Sequence, residues 1–280
     1  MMLRVAALQM NSGTDPGPNL DALAALARDA AAQGAQYALS PEVSVVFAEN
    51  REGLRAVARP WEGNPAIARC AGIARETGLF LHLGSLAVAL EDGRFANRSV
   101  LLRPDGSVAA TYDKIHLFDA TLPGVREYRE SATYAGGDVA VVAEAAGIRL
   151  GMTICYDVRF PALHRALAVA GADLISVPAA FTVPTGEAHW EVLLRARAIE
   201  TGCYVIAAAQ AGRHQNGRTT YGHSMIVEPW GRVVGALGGE GAGVLVADID
   251  PDAVAEARGR VPALANARRF SLSVNPTGAL

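Results

Sequence analysis

The chain has 280 residues, of which 51% are hydrophobic and 19% charged, and its formal net charge is −3. This balance gives no basic surface that would recruit nucleic acid or anionic lipid, and no run of about 18 apolar residues offers a membrane span. We therefore expect a globular protein with an ample core and with neither a nucleic-acid nor a membrane partner.

Three cysteines, Cys70, Cys155 and Cys203, are widely spaced and odd in number. This pattern argues against a disulfide framework or a zinc ribbon and favours a reducing compartment. The first ten residues, MMLRVAALQM, lack the cleavage region of a signal peptide and are typical of a core strand. The sequence therefore predicts a cytoplasmic protein without a bound metal.

Hydrophobic periodicity predicts strands and helices along the whole chain. Short apolar runs between turn residues predict strands over residues 3–10, 35–40, 79–90, 99–103, 108–114, 139–143, 148–155, 172–178, 204–210, 224–228, 233–236 and 244–250. Helical spacing and proline or glycine boundaries predict helices over residues 19–33, 65–76, 161–170, 187–201 and 252–260. Residues 120–137 are predicted to form a polar loop and residues 262–280 an irregular tail.

Neither an internal repeat nor a low-complexity linker interrupts the sequence, so we predict one domain over residues 1–280. Hairpins and helix-separated strands occur together, which indicates mixed sheets rather than purely parallel ones. About a dozen strands would overfill a single sheet covered by helices on both faces. Two mixed sheets packed face to face, with helices outside each, fit this number better.

Three polar residues follow apolar strands in this sequence. Glu42 comes after YALSP, Lys114 after TYD, and Cys155 after GMTI. Because ligand sites in open α/β sheets gather beyond the carboxyl ends of strands, these three side chains can converge although they are far apart in sequence. Each also has a structural interpretation, since a glutamate or lysine after a strand is commonly just solvated.

Cys155 lies between a predicted strand and a helix that begins at Pro161. The N–H groups and positive dipole at a helix start favour a thiolate, and the backbone N–H of Tyr156 can stabilise an oxyanion beside the sulfur. As a nucleophile, Cys155 would attack a carbonyl carbon, Glu42 would transfer the protons, and Lys114 would offset the oxyanion charge. A buried structural cysteine is the alternative.

A cysteine–histidine pair is the rival arrangement. The candidate histidines are His116, His164, His189 and His223. A histidine near a helix start more often caps or packs than catalyses, so we favour the Glu–Lys–Cys set. No close spacing of cysteine and histidine indicates zinc, and the glycines between residues 235 and 243 are spaced as in a turn rather than a phosphate-binding loop.

Three motifs resemble those of the nitrilase superfamily of carbon–nitrogen hydrolases, in order and in spacing. They are PEVS with Glu42, YDKIHLFD with Lys114, and GMTICYDVRFP with Cys155, and the similarity extends over a core from about residue 3 to residue 269. The resemblance implies a four-layer αββα sandwich, a Glu–Lys–Cys triad working through a thioester, no cofactor, and a homodimer or larger assembly. It also implies a second glutamate, which the stretch RESATYAGGD places at Glu130, with Glu127 nearby.

Two downstream stretches, PAAFTVPTGEAHWEVLLRARAIETGCYVIAAAQAGRH and YGHSMIVEPWG, resemble the branch of amidases that act on deaminated glutathione. The resemblance implies hydrolysis of the terminal amide of a small α-keto acid amide, with release of an ammonia-type leaving group. An ω-amidase acting on 2-oxoglutaramate, an N-carbamoyl amino acid hydrolase, and a catalytically silent partner-binding protein are the alternatives. One departure from the superfamily is Ser44-Val-Val46, because an aromatic residue is common after PEV.

Under this hypothesis, the residues after the strand at 172–178 bind the substrate. The backbone and hydroxyls of Phe181, Thr182 and Thr185 would hold the carboxylate of an α-keto acid. Arg159 is a candidate partner for the same anionic group.

Arg197 is a second candidate for that role, whereas Trp190 is expected to pack in the core. By analogy with the superfamily, the helix after Cys155, the helix after Thr185 and the C-terminal tail are expected to form a dimer surface.

Overall fold

The computed structural model describes residues 2–121 and 127–273, and these form seventeen strands, six α-helices and two short 3₁₀ helices. The first half contains β1 (Leu3–Gln9), α1 (Pro16–Ala32), β2 (Tyr37–Leu39), α2 (Arg51–Val57), α3 (Pro65–Thr77), β3 (Phe80–Ala89), β4 (Phe95–Leu102), β5 (Val108–Asp113), β6 (Asp119–Ala120), β7 (Tyr128–Arg129), β8 (Tyr134–Ala135) and β9 (Val141–Ala145). The second half contains β10 (Ile148–Met152), α4 (Pro161–Val169), β11 (Leu174–Ser176), α5 (Val183–Thr201), β12 (Tyr204–Ala207), β13 (Ala211–Arg213), β14 (Thr219–Tyr221), β15 (Met225–Val227), β16 (Val233–Ala236), β17 (Gly243–Ile249) and α6 (Pro251–Arg260). The 3₁₀ helices span Glu130–Ala132 and Cys155–Arg159.

The strands form two mixed sheets, as predicted. The first has the order β17-β1-β2-β3-β4-β5, with β8 beside β4, and the second has the order β16-β15-β12-β11-β10-β9. In the first sheet β1, β2 and β3 are parallel, the pairs β17–β1, β3–β4 and β4–β5 are antiparallel, and β8 lies parallel to β4. In the second sheet β10, β11 and β12 are the parallel set. Two small hairpins, β6–β7 and β13–β14, lie outside both sheets.

Alternation along β1 shows how the layers are arranged. Val5 and Ala7 belong to a core that includes Leu150 and Ile175 of the second sheet. Their neighbours in β1 instead belong to a core shared with α1 and α3. Because successive side chains of a strand point to opposite faces, the first sheet has the second sheet on one face and helices on the other. With α4 and α5 packed beyond the second sheet, the predicted four-layer αββα sandwich is confirmed.

Helix boundaries follow the capping signals in the sequence. In α3, Asn64 accepts from the Ala66 N–H and Gly78 ends the helix with φ +70°. The predicted helix over residues 187–201 was too short, because α5 begins at Val183, directly before Pro184. A proline is favoured in the first turn of a helix, where its missing N–H costs no hydrogen bond. The short helix α2, capped by the side chain of Asn50, was not predicted.

Several strand boundaries also differ from the predictions. The strand predicted to end at Cys155 ends at Met152, and Cys155 begins a 3₁₀ helix instead. Part of the predicted polar loop pairs as β6 with β7, while residues 122–126 of that loop lie outside the described residues. The tail has no helix or strand between residues 261 and 273, and residues 274–280 are not described. Among the described helices, none is both long enough and apolar enough to cross a membrane.

Candidate active site

The ends of β2, β5 and β10 bring Glu42, Lys114 and Cys155 to one cleft of about 600 Å³. Glu42 and Lys114 follow strands of the first sheet, whereas Cys155 follows a strand of the second. The cleft therefore lies where the two sheets meet at their carboxyl ends, and all three side chains are buried in its wall.

Lys114 lies between two glutamates. Its Nζ donates to Glu42 Oε1 at 2.8 Å and to Glu130 Oε1 and Oε2 at 3.0 and 2.9 Å. Glu130 Oε2 also accepts from the backbone N–H of Phe118 at 2.6 Å. Of the two glutamates considered for this position, Glu130 makes the contact, while Glu127 pairs with Arg129 at 2.5 Å.

Charge keeps Lys114 protonated in this buried position. Burial alone would lower its pKa, but the carboxylates of Glu130 and Glu42 outweigh burial and hold the pKa well above its usual value. Because an ammonium has three donors, its three contacts to carboxylate oxygens use all of them. In this state Lys114 acts on other groups through its charge rather than through a further hydrogen bond.

Asn97 on β4 completes this arrangement and was not singled out from the sequence. Its Nδ2 donates to Glu42 Oε1 at 3.0 Å and to Glu130 Oε1 at 3.2 Å. The side chain is buried. A clue was present, since asparagine is depleted in strands and this one lies inside the apolar run FANRSVLL. We call Glu42, Lys114, Glu130 and Asn97 the carboxylate ring.

The second oxygen of Glu42 is held by the opposite sheet. Glu42 Oε2 accepts from the backbone N–H of Ala180 at 3.1 Å, just after β11. The main-chain oxygen of Glu42 accepts from Gln210 Nε2 at 3.0 Å. Both sheets therefore fix the position of this carboxylate.

The thiol of Cys155 is buried and neutral. Burial raises its pKa well above the usual value, the charge of Glu42 raises it further, and Lys114 and the Ala180 N–H oppose the shift. The expectation that a helix start would favour the thiolate was therefore wrong. The helix at this point is a five-residue 3₁₀ segment, and the N–H of Cys155 itself donates to Pro178 O at 2.8 Å.

The backbone at Cys155 is strained. Its φ is +49°, a region that residues with a Cβ occupy only at a cost of about 1–2 kcal/mol. Val43, next to Glu42, has φ +51°, and its N–H donates to Ser85 Oγ. Strain of this kind persists only where surrounding contacts impose it, and it concentrates at functional sites. Strained backbone is thus found at the cysteine itself and directly after the glutamate.

Gly84 lets the loops around the site approach each other. A Cβ at this position would lie 2.0 Å from Ser40 O, 2.4 Å from Pro41 O and 2.5 Å from Pro178 Cβ. No side chain fits there, so β3 can pass directly beneath the segment that carries Glu42 and the loop that accepts the Cys155 N–H.

Tyr156 directly follows the cysteine and lines the cleft. It occupies the second position of a 3₁₀ helix, where a backbone N–H has no acceptor within the helix. The predicted oxyanion donor is thus located next to the sulfur-bearing residue.

The four predicted substrate-binding residues also line the cleft: Phe181, Thr182, Thr185 and Arg159. The hydroxyls of Thr182 and Thr185 lie 2.8 Å apart. The Arg159 guanidinium lies 5.4 Å from the centre of the Phe181 ring and 6.0 Å from that of Tyr156.

Two further residues have structural contacts. Trp190 is buried, packs against Phe181 and donates to His223 O at 2.8 Å. Arg197, the second candidate for an anionic group, does not line the cleft. It donates to Val158 O and pairs with Glu200.

The four histidines of the rival arrangement do not line the cleft. His116 bonds to Asp157 Oδ1 at 2.7 Å and stacks on Phe160. His164 is a fully buried residue of α4, and burial lowers its pKa to about 3. The geometry thus offers Cys155 a carboxylate rather than an imidazole. Within the described residues, no group of three or more His, Cys, Asp or Glu side chains is arranged to hold a metal ion.

The cleft thus holds a buried cysteine and a lysine-bound glutamate where two face-packed sheets meet. Residues 4–259 match the family model described as carbon-nitrogen hydrolase. The chain belongs to this family and is an enzyme that hydrolyses C–N bonds, which confirms the resemblance drawn from its three motifs.

Relatives support the same assignment. The chain is 43% identical to the deaminated glutathione amidase of Bos taurus, over 94% of this chain and 81% of that protein. It is 39% identical to the deaminated glutathione amidase of Yersinia enterocolitica, over 97% of this chain and 95% of that protein.

Solved structures of the same superfamily have the same fold. The Caenorhabditis elegans NitFhit protein superimposes with a TM-score of 0.87 at 35% identity, covering 95% of this chain and 65% of that longer one. Saccharomyces cerevisiae Nit3, a member of branch 10 of the nitrilase superfamily, gives a TM-score of 0.86 at 27% identity, covering 96% of this chain and 97% of that one. A glutamate-to-glutamine mutant of the Nesterenkonia amidase, with acrylamide added at its active-site cysteine, gives 0.78 at 31% identity, covering 93% and 98%.

Proposed function

We propose that the protein hydrolyses deaminated glutathione, with Cys155 as the nucleophile and Glu42 as the base. The relatives named for this activity support the substrate. The observation that carries the reaction is the carboxylate of Glu42, whose Oε1 is held by Lys114 and Asn97 while its Oε2 is held by the Ala180 N–H. This carboxylate is fixed on both sides and raises the pKa of the Cys155 thiol by its charge.

Acylation begins with proton transfer. Because the thiol of Cys155 is neutral at rest, Glu42 accepts its proton as the sulfur attacks the carbonyl carbon of the amide. The carbonyl π electrons move to oxygen and form a tetrahedral oxyanion. Glu42 then donates the proton to the amide nitrogen, the C–N bond breaks, and a thioester remains on Cys155.

The leaving group depends on the amide. Deaminated glutathione joins its keto acid to cysteinylglycine, so cleavage there releases the amine of that dipeptide. Ammonia leaves only from a primary amide such as 2-oxoglutaramate. The ammonia-type leaving group expected from the sequence is therefore an amine in the leading case.

Two groups would stabilise the oxyanion. The backbone N–H of Tyr156 supplies a hydrogen bond beside the sulfur, and Lys114 supplies a fixed positive charge. Glu130 holds two of the three Nζ donors and so fixes that charge in place. A direct bond from Lys114 to the oxyanion requires release of one carboxylate oxygen.

Deacylation uses the same carboxylate. Glu42 accepts a proton from water, the hydroxide adds to the thioester, and the C–S bond breaks as the proton returns to sulfur. The keto acid is then released. These steps use only side chains, backbone groups and water, so the proposed mechanism involves no cofactor or metal.

Arg159 is suited to the carboxylate of the α-keto acid. It follows Cys155 by one turn, and its guanidinium has no carboxylate partner within the described residues. The hydroxyls of Thr182 and Thr185 and the ring of Phe181 line the same cleft and would hold the acyl chain.

The test is a substrate panel with purified protein: deaminated glutathione, 2-oxoglutaramate, an N-carbamoyl amino acid and a nitrile. We expect the highest kcat/KM for deaminated glutathione, measured by release of 2-oxoglutarate and cysteinylglycine. Cys155→Ala is the matched inactive variant. For the unchanged enzyme, rapid denaturation during turnover followed by mass measurement should detect the acyl group on Cys155. A preference for another compound would contradict the substrate, and unchanged turnover by Cys155→Ala would contradict the nucleophile.

We further propose that the protein is a cytoplasmic homodimer. All three cysteines are free and buried, as suits a reducing compartment. An exposed apolar patch around one surface cavity supports self-association, with Ile199 56%, Trp230 57% and Val261 58% exposed. Sedimentation of Ile199→Glu should show monomers at concentrations where the unchanged chain and the control Val139→Glu are dimeric.

A further inference from the structure

Four arginines line the cleft, and the side chains of three of them already have polar partners. Arg129 pairs with Glu127 at 2.5 Å, Arg51 donates to Gly93 O at 3.3 Å, and Arg159 donates to His189 Nδ1 at 3.3 Å. Arg159 and Arg218 make no salt bridge with the carboxylates of residues 2–121 and 127–273. The proposed function gives Arg159 the keto-acid carboxylate, which leaves Arg218 without a function.

Arg218 lies on the turn between β13 and β14, and its position is well defined. Its guanidinium is 5.3 Å from the centre of the buried Phe47 ring, which packs against His214. Asn216 Nδ2 donates to Phe47 O at 2.9 Å and Asn216 Oδ1 accepts from the Arg218 N–H at 2.9 Å. A guanidinium over an aromatic face keeps its N–H edge available for a carboxylate.

The charge of Arg218 also reaches the hydroxyl of Tyr134 in the wall of the cleft. Burial raises the pKa of the Tyr134 hydroxyl, and the charges of Lys114 and Arg218 both oppose that shift. Tyr134 lines the cleft together with both of these cations. Arg218 is therefore electrostatically part of the site although it belongs to a hairpin outside both sheets.

Deaminated glutathione carries two carboxylates, one on its keto acid and one on its terminal glycine. The scissile amide lies between them, so a cleft that binds the whole molecule needs a cation on each side. A cleft of about 600 Å³ suits a ligand of this size better than the much smaller 2-oxoglutaramate. Arg159 and Arg218 are on separate elements of the cleft wall.

We propose that Arg218 binds the carboxylate of the leaving group and so selects amides with an anionic amine portion over primary amides. This inference rests on the proposed function. Arg218 would contact only the leaving dipeptide, because Arg159 and the threonines serve the acyl portion. Its contribution would therefore depend on whether the substrate has that second carboxylate.

The experiment compares Arg218→Gln with the unchanged enzyme on three substrates: deaminated glutathione, its analogue with a C-terminal carboxamide, and 2-oxoglutaramate. We expect a loss of about tenfold in kcat/KM on deaminated glutathione, the size of one hydrogen-bonded charge pair. We expect no comparable loss on the two substrates without the second carboxylate. Arg213→Gln makes the same charge change on the same hairpin outside the cleft and should affect none of the three.

Salt provides a second readout. The KM of the unchanged enzyme for deaminated glutathione should rise with ionic strength more steeply than that of Arg218→Gln, since an exposed charge pair is screened. An equal loss on all three substrates, or no loss on any, overturns the assignment of Arg218. Failure of the unchanged enzyme to hydrolyse deaminated glutathione would instead refute the proposed substrate, so the two failures are distinguishable.

Discussion

Nδ2 of Asn97 lies 3.0 Å from Oε1 of Glu42, across 55 residues of sequence. This bond binds the proposed base without adding charge, and the same nitrogen reaches Glu130. Asn97→Asp should replace a donor with a third carboxylate beside a single lysine. We expect kcat/KM to fall by at least about tenfold and the acidic limb of its pH profile to move to higher pH.

The pH profile of Asn97→Asp distinguishes a loss of the positioning of Glu42 from a loss of stability of the fold. Arg98→Gln, on the next residue of β4, breaks an ion pair with Asp113 away from the cleft. It should change the unfolding free energy slightly and leave the profile where it was. An Asn97→Asp profile of unchanged shape, lowered only in amplitude, would contradict the positioning role.

The strained backbone at Cys155 leads to a stability prediction. Both Cys155→Ala and Cys155→Gly should lose turnover. The free energy of unfolding of the glycine variant should exceed that of the alanine variant by about 1 kcal/mol, because φ +49° costs glycine nothing. Urea unfolding measures the difference. Ala146→Gly is the matched control outside the cleft, with φ +50°, and should be stabilised while keeping full activity. Equal stability of the two inactive variants would show that the strain is absent.

Removal of the proposed base should make the nucleophile more reactive toward simple alkylating reagents. Burial and the charge of Glu42 raise the pKa of Cys155. Glu42→Gln removes that charge and leaves Lys114, so the pKa of the thiol should fall. The curve of iodoacetamide labelling against pH should shift to lower pH, and amide turnover should be lost. Glu127→Gln, which neutralises another carboxylate that lines the cleft, should leave the labelling curve unchanged. An unchanged labelling curve in Glu42→Gln would contradict the coupling.

Buried histidines predict loss of stability in acid. Burial lowers the pKa of His82 and His164 from an ordinary value of 6.5 to about 3. Below pH 6.5 the unfolded chain binds protons that the folded chain excludes. The free energy of unfolding therefore decreases as the pH falls toward 3, by about 1.4 kcal/mol per pH unit for each histidine.

His164 allows a direct test of this acid sensitivity, because its Nε2 has no hydrogen-bond partner among the described residues. His164→Leu should reduce the slope of unfolding free energy against pH by about 1.4 kcal/mol per unit between about pH 4.5 and 6.5. The exposed His189→Leu should leave the slope unchanged. The same slope in both variants would contradict the buried neutral state of His164.

Hydrophobic periodicity and capping residues were sufficient to predict most of the strands and helices that form the core. β1 and α3 were predicted nearly to their ends, because alternation and a proline–glycine boundary are local signals. The ends of β2 and β5 also identified Glu42 and Lys114 as candidates. These features depend on residues that are neighbours in the sequence.

Features that depend on distant contacts were not predicted from local signals. Asn97 acquires its role only through carboxylates far away in sequence. The pKa of Cys155 is set by burial between two sheets rather than by the short helix that follows it. Arg218 lies on the β13–β14 hairpin, which local patterns did not predict, and reaches the cleft because Asn216 fixes that hairpin on the Phe47 segment.

The pairing of β1 with β17 has a consequence for synthesis of the protein. All seven residues of β1 pair with β17, from Leu3 with Ile249 to Gln9 with Gly243. A nascent chain that has not yet reached residue 249 leaves β1 as an open edge, and unpaired edges recruit foreign strands. The first sheet, and with it the segment that holds Glu42, can close only after most of the chain has left the ribosome. Activity should therefore arise late in translation, and chaperone demand should be highest before β17 emerges.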